Sequence, residues 1–117
     1  MLTLGRETRV YVYREATDMR RSFEGLSYLA REVVKKDVLS GHLFMFFNRT
    51  RSSVKILYWD RSGFAIWYKQ LQKGAFTRPV KDELDYAELA CVLEGIEFEK
   101  MARKARYSLN NTCPQNT

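Results

Sequence analysis

An α+β fold is the class this sequence predicts: an antiparallel β-meander of about four strands with two helices, in a single domain. Three observations predict it. Residues 42–76 hold three short apolar runs joined by polar turns, an amphipathic stripe precedes them, and a second helical pattern follows. Short polar links between apolar runs imply antiparallel neighbours, because a parallel pair needs a long crossover. A chain of 117 residues suits one such domain and is too short for two ordinary ones.

The first strand is residues 9–13, RVYVY, with Val10 and Val12 on one face and Tyr11 and Tyr13 on the other. Its link to the meander is long and contains a helix, so it pairs with either edge of the sheet. Thr17 or Asp18 serves as the N-cap of that helix. Phe23, Leu26, Leu29 or Ala30, Val33 and Val34 then recur at three- and four-residue spacing, a stripe that must be buried against the sheet. Gly25 sits within the stripe and allows either close approach to the sheet or a backbone irregularity. Lys35 and Lys36 suit a helix carboxyl end.

The meander follows. Residues 43–47, LFMFF, are apolar throughout, as expected of a strand buried on both faces. Residues 54–59 alternate, with Val54, Ile56 and Tyr58 on one face and Lys55, Leu57 and Trp59 on the other. Residues 64–68 repeat the alternation, and Asp60-Arg61-Ser62-Gly63 between them fits a type I turn. Residues 69–73 either extend the third strand or begin a helical turn. Phe76 is a core anchor, and Pro79 ends any regular element. The second helix runs over residues 86–94. Asp85 and Glu88 are placed for a capping box, Leu89, Ala90, Val92 and Leu93 form its apolar face, and Gly95 stands just past its end. It is expected at an edge or end of the sheet. Residues 1–99 make the domain, and 100–117, basic and then polar, form a disordered tail.

Three blocks of residues in this order resemble a known family. They are Thr17-Asp18-Met19-Arg20-Arg21-Ser22-Phe23; then Gly41-His42-Leu43-Phe44, Lys55-Ile56-Leu57-Tyr58-Trp59-Asp60, Gly63-Phe64, Tyr68-Lys69, Leu71, Gly74 and Phe76; then Leu89, Leu93, Glu94, Gly95 and Ile96. Together they resemble the Orf-two (TnpB-type) accessory protein of the IS-sixty-six family of insertion sequences. The likeness covers roughly residues 3–99. It implies an accessory part in transposition of a bacterial mobile element, beside a larger transposase and other accessory proteins of the same element, with strand transfer left to the transposase. The RNA-guided nucleases that share the letters TnpB are much larger and share nothing with this chain.

Composition narrows the chemistry. No apolar run reaches the roughly 18 residues of a membrane span. Met-Leu-Thr-Leu followed at once by Gly, Arg and Glu is not a signal peptide, so a cytoplasmic protein without membrane association is expected. The two cysteines are widely separated: Cys91 reads as a small apolar helix residue and Cys113 as a free thiol in the tail. With His42 the single histidine, neither a zinc site nor a Ser/Cys–His nucleophile has its partners, and His42 takes a structural or surface role. Asp18, Asp60 and Glu94 each have a local task as helix cap, turn former and helix surface, rather than a shared metal site. No glycine pattern cradles phosphate. The reading is of a protein with no catalytic residues, no cofactor and no metal.

A basic and aromatic surface remains. Net charge is +6, the middle of the chain is its most basic part, and residues 79–117 are net acidic. Arg49 and Arg51 crown one turn, Arg61 the next, Lys55, Lys69 and Lys73 lie on or beside the strands, and Arg20 and Arg21 open the first helix. These eight are the candidate DNA-contacting residues, guanidinium and ammonium groups suited to phosphates, with the insertion-sequence ends as the expected DNA. Tyr11, Tyr13, Tyr58, Trp59, Trp67 and Tyr68 pack in the core, stack on bases, or form a protein interface. The alternative to DNA binding is a protein–protein adaptor in the transposase complex with no DNA contact of its own.

Overall fold

The run Leu43–Phe47 is the middle strand of a five-stranded sheet, and its composition follows from that place. The computed structural model describes residues 7–97. In chain order the elements are β1 (Val10–Val12), α1 (Phe23–Leu29), β2 (Leu43–Phe47), β3 (Ser53–Asp60), β4 (Gly63–Gln70), β5 (Ala75–Phe76), β6 (Glu83–Leu84), α2 (Tyr86–Glu94) and β7 (Ile96–Glu97), with a π-helical turn, Ala30–Val34, continuing α1. Strand order in the sheet is β4-β3-β2-β1-β6, and β5 pairs with β7 in a separate ribbon. The architecture is α+β.

Strands β2, β3 and β4 form the antiparallel meander, in unbroken register from Leu43 opposite Tyr58 to Ser53 opposite Gln70. Strand β1 departs from the all-antiparallel expectation. It runs parallel to β2, Val10 opposite Leu43 and Val12 opposite Met45, because the chain between them passes through α1 and is long enough for a crossover. Strand β6 adds antiparallel to the far side of β1. At two residues it is too short for alternation to mark it in a sequence.

Both faces of the sheet are covered, which is why every side chain of β2 is buried. Phe44, Phe46 and Leu57 meet Leu26 and Leu29 of α1 and Ala30 of the π-helical turn on one face. Leu43, Met45, Phe47, Val54 and Ile56 meet Phe76, Leu84, Leu89 and Val92 on the other. Helix α2 therefore closes the second face rather than sitting only at an edge. Its predicted capping box is present: Glu88 N–H donates to Asp85 Oδ1 and Asp85 N–H to Glu88 Oε1, both at 2.9 Å. Asp85→Ala is expected to cost about 1 kcal/mol, read as a shift in the urea midpoint.

Helix α1 differs from its sequence reading at both ends. It starts at Phe23 after Ser22, which makes no side-chain cap bond. Asp18 instead forms its own turn, accepting from Arg20 N–H at 2.9 Å, while Arg21 N–H donates to its carbonyl at 3.0 Å. At the other end Lys35 N–H reaches back five residues to the Ala30 carbonyl, and Lys35 ends the helix at φ 62. The stripe holds at Leu26, Leu29 and Ala30, but Phe23 is 46% exposed. Gly25 makes room for a neighbour rather than for the sheet: a Cβ there would meet Arg21 Cβ and Cγ at 3.2 Å. Gly95 is required for the same kind of reason, since a Cβ would lie 2.7 Å from both the Cys91 carbonyl and Thr77 Oγ1.

The β3–β4 turn is not type I. Arg61 has φ 62, and Ser62 N–H donates to the Asp60 carbonyl at 2.6 Å, a γ-turn centred on Arg61 that closes the hairpin. No helix among the described residues is long and apolar enough to cross a membrane. Cys91 is half-buried on α2 and is not a free thiol. The expectations for Cys113, Phe98 and the tail lie outside the described residues.

Candidate nucleic-acid interface

Seven of the eight basic candidates lie toward one end of the sheet, and the loop joining β2 to β3 organises them. Asn48 closes that loop with both ends of its side-chain amide. Its Oδ1 accepts from Ser53 N–H at 3.1 Å and its Nδ2 donates to Ser52 Oγ at 3.0 Å, while Arg51 N–H returns to the Asn48 carbonyl at 3.1 Å. Arg51 takes φ 58 to complete the turn. The β4–β5 segment braces the loop from beside it, with Leu71 N–H on the Ser52 carbonyl and Phe76 N–H on the Arg51 carbonyl, each at 2.8 Å. Lys69 and Lys73 flank that bracing point. Arg49 projects from the loop exposed, whereas Arg51 is half-buried and donates to the Phe76 carbonyl at 3.4 Å.

Lys55 belongs to the same end but not to its surface. It is only 8% exposed, and its Nζ donates to the carbonyls of Met19 and Arg21, both at 2.8 Å. The ammonium also lies 4.8 Å from the centre of the Tyr68 ring. Burial costs a lysine unless its charge is met, and two carbonyls and a ring meet it here. Lys55 thus pins the 19–21 segment to β3, its ammonium turned to those carbonyls rather than presented at the surface. Thr17 N–H on the Phe47 carbonyl, 2.8 Å, pins the same segment to the end of β2.

The two arginines of that segment are unequal. Arg20 grips Asp18 through Nε and Nη2, the shortest contact 2.7 Å. Hydrogen bonds from Arg20 hold the Asp18 carboxyl at about 2, below its usual 3.8. The pair therefore stays charged well into acid, with the Arg20 guanidinium already engaged by Asp18. Arg21, by contrast, has no carboxylate within 4.0 Å among the described residues; the same holds for Arg49, Lys69, Lys73 and Arg61.

Arg61 stands apart. It lies in the β3–β4 turn, at the opposite end of the strands from Arg49. The structure also adds two residues that the sequence reading passed over. Because β1 is parallel to β2, its exit brings Arg14 to the basic end, and the β5–β6 link brings Arg78. Both line a cleft of about 300 Å³ with Arg49, Arg51 and Phe47. Arg14 is partly spent on Asp82 at 3.2 Å and the Pro79 carbonyl at 3.1 Å, while Arg78 has no ion-pair partner among the described residues. Arg14, directly after an alternating strand, was the one visible signal; its partner depended on an unforeseen parallel pairing.

Most of the aromatic candidates are used internally. Tyr11 packs on Phe44, Tyr13 on Phe46 and Trp59 edge-on to Phe64, with centroids 5.6, 5.7 and 5.0 Å apart. Burial and the nearby Asp60 raise the Tyr58 hydroxyl pKa, in that order. The exposed rings among the described residues are Tyr68 at 49%, Tyr28 at 53%, Tyr86 at 61% and Phe23. His42 is structural in its geometry, its Nδ1 accepting from Arg9 N–H at 2.9 Å. Asp18 and Asp60 sit at opposite ends of the sheet, and no group of three or more His, Cys, Asp or Glu among the described residues is placed to hold a metal ion.

Comparison with known proteins bears directly on the three sequence blocks. The family model for IS66 Orf2-like proteins matches residues 8–103. The chain belongs to the IS66 Orf2-like family. This IS66 Orf2-like protein is 33% identical over 102 residues to the uncharacterised protein y4hO of Sinorhizobium fredii (strain NBRC 101917 / NGR234), across 84% of this chain and 89% of that one. It is 29% identical over 108 residues to y4jC of the same strain, also uncharacterised, across 89% and 92%. No solved structure matches it. Membership in the IS66 Orf2-like family implies an accessory role in transposition of an insertion sequence.

Proposed function

We propose that this protein binds the DNA of its insertion sequence through the basic end of the sheet and presents it to the larger transposase, without catalysing a step itself. The observation that carries the reading is the set of cations without carboxylate partners, Arg21, Arg49, Lys69, Lys73 and Arg78, around a loop closed by Asn48. Phosphate contacts from such a set release counterions, so affinity falls steeply with salt. Side chains that reach base edges from the loop would add sequence preference.

The test is fluorescence anisotropy with duplex carrying the element's terminal inverted repeat, against a scrambled duplex, from low to physiological salt. Arg21→Ala, Arg49→Ala and Lys73→Ala together are expected to flatten the slope of log affinity against log salt by roughly 2–3. Arg61→Ala, at the other end, is expected to leave it unchanged. An unchanged slope in the triple variant would remove these residues from the reading. The exposed Phe23 and Tyr28 on α1 favour a second reading, an adaptor that docks on protein through aromatic side chains. Absence of DNA binding even at low salt would select it.

A further inference from the structure

We propose that two copies of this chain join along the β4 edge, antiparallel, to make one continuous sheet. This goes beyond the DNA reading and does not depend on it. Strand β4 ends the sheet, with β3 its neighbour on one side only. The turn closed by Asp60 and Gly63 sets the alternation of its backbone groups. Residues 63, 65, 67 and 69 face β3, and Leu71 continues the series by donating to the Ser52 carbonyl at 2.8 Å. Phe64, Ile66, Tyr68 and Gln70 therefore direct their N–H and C=O groups away from the sheet. Among the described residues these outward groups have no backbone partner.

An edge of this kind is usually blunted by shortness, proline, a bulge or charge. The other edge obeys the rule: β6 has two residues, and Glu83 is paired with Arg9 at 3.2 Å. Strand β4 breaks it, being eight residues long, free of proline and paired in unbroken register. Its one strand-borne cation is Lys69. Phe64, Ala65, Ile66 and Trp67 are half-buried because only one side of them is covered.

A second copy fits this edge in one register better than in its neighbours. Outward groups can exchange bonds only if even-numbered residues oppose even-numbered ones. A two-fold axis at Ile66 places Ile66 opposite Ile66, Phe64 opposite Tyr68 on the same face, and large Trp67 opposite small Ala65. Lys69 then faces Gly63, and no like charges meet. Moving the axis to Trp67 sets Arg61 against Lys73, and moving it to Ala65 sets Arg61 against Lys69. The Ile66-centred contact is self-complementary and closes as a dimer. The two Arg49 loops then stand at opposite ends of the joined sheet.

Sedimentation equilibrium and amide hydrogen exchange on the full chain, over a hundredfold range of concentration, test the proposal. A dimer is expected, with the amides of Phe64, Ile66, Tyr68 and Gln70 gaining protection as concentration rises while 65, 67 and 69 are protected throughout. Tyr68→Pro removes an outward donor without touching the β3 ladder and is expected to weaken association by about tenfold or more. A monomer at every concentration would overturn the proposal, as would concentration-dependent protection confined to another surface. Protection of the same amides that ignores concentration would also overturn it, by showing a segment of the same chain on the edge. The exchange pattern of the unmodified protein decides even if Tyr68→Pro does not fold.

Discussion

Lys55→Met is expected to lower folding stability by about 2–4 kcal/mol, because two carbonyls lose their donor while the stem volume is kept. The carbonyls are those of Met19 and Arg21, and the Tyr68 ring loses its cation as well. The loss should appear as a lower urea midpoint with an unchanged slope. It should also appear in DNA binding, which falls although the lysine itself is buried, because the segment bearing Arg20 and Arg21 is released from β3. A midpoint within error of the parent would show that the ammonium is replaceable by apolar packing. Retained stability with reduced DNA binding would instead mean that Lys55 meets DNA directly.

The second large effect is expected from Phe46→Ala. Phe46 is fully buried on the middle strand, against Tyr13 at 5.7 Å and within the cluster formed by α1. Removing the ring deletes its transfer energy and leaves a cavity between two layers held by neighbouring strands, a loss of about 3–5 kcal/mol. The melting temperature should fall by roughly 10–20 °C in a domain of this size. Phe23→Ala is the comparison, since Phe23 lies nearly half exposed on the same helix and should cost under about 1 kcal/mol. Equal losses at the two positions would contradict the placement of α1 on the sheet.

The meander was legible because its signals are local. Alternation in β3 and β4, a polar turn of fixed length and an all-apolar β2 leave few other arrangements, and the capping box of α2 needs only Asp85 and Glu88. What escaped the sequence was contact between distant parts. The parallel pairing of β1 rests on the path of the crossover, which no residue pattern encodes. Strand β6 is too short to carry a period, and the fate of Asp18 depended on Arg20 competing for it. The same limit governed the candidate site. Arg49, Lys69 and Lys73 fall together through strand register, while Lys55, equally basic in the sequence, turned inward because its face of β3 lies under α1. Arg14 and Arg78 joined only through the β1–β6 side of the sheet.

The closed geometry of the Asn48 loop has a consequence for how fast and how cleanly the protein meets its partner. A basic loop that orders only on contact must surrender conformational entropy at that moment, and its binding is slowed and weakened accordingly. Here the side chain and backbone of Asn48 have already fixed the turn during folding, with Leu71 and Phe76 holding it from the side. Arg49 alone keeps its rotamer freedom to spend. On the proposed DNA-binding reading, encounter with the duplex is close to rigid docking, its rate set by the electrostatic field and the salt around it rather than by rearrangement of the loop.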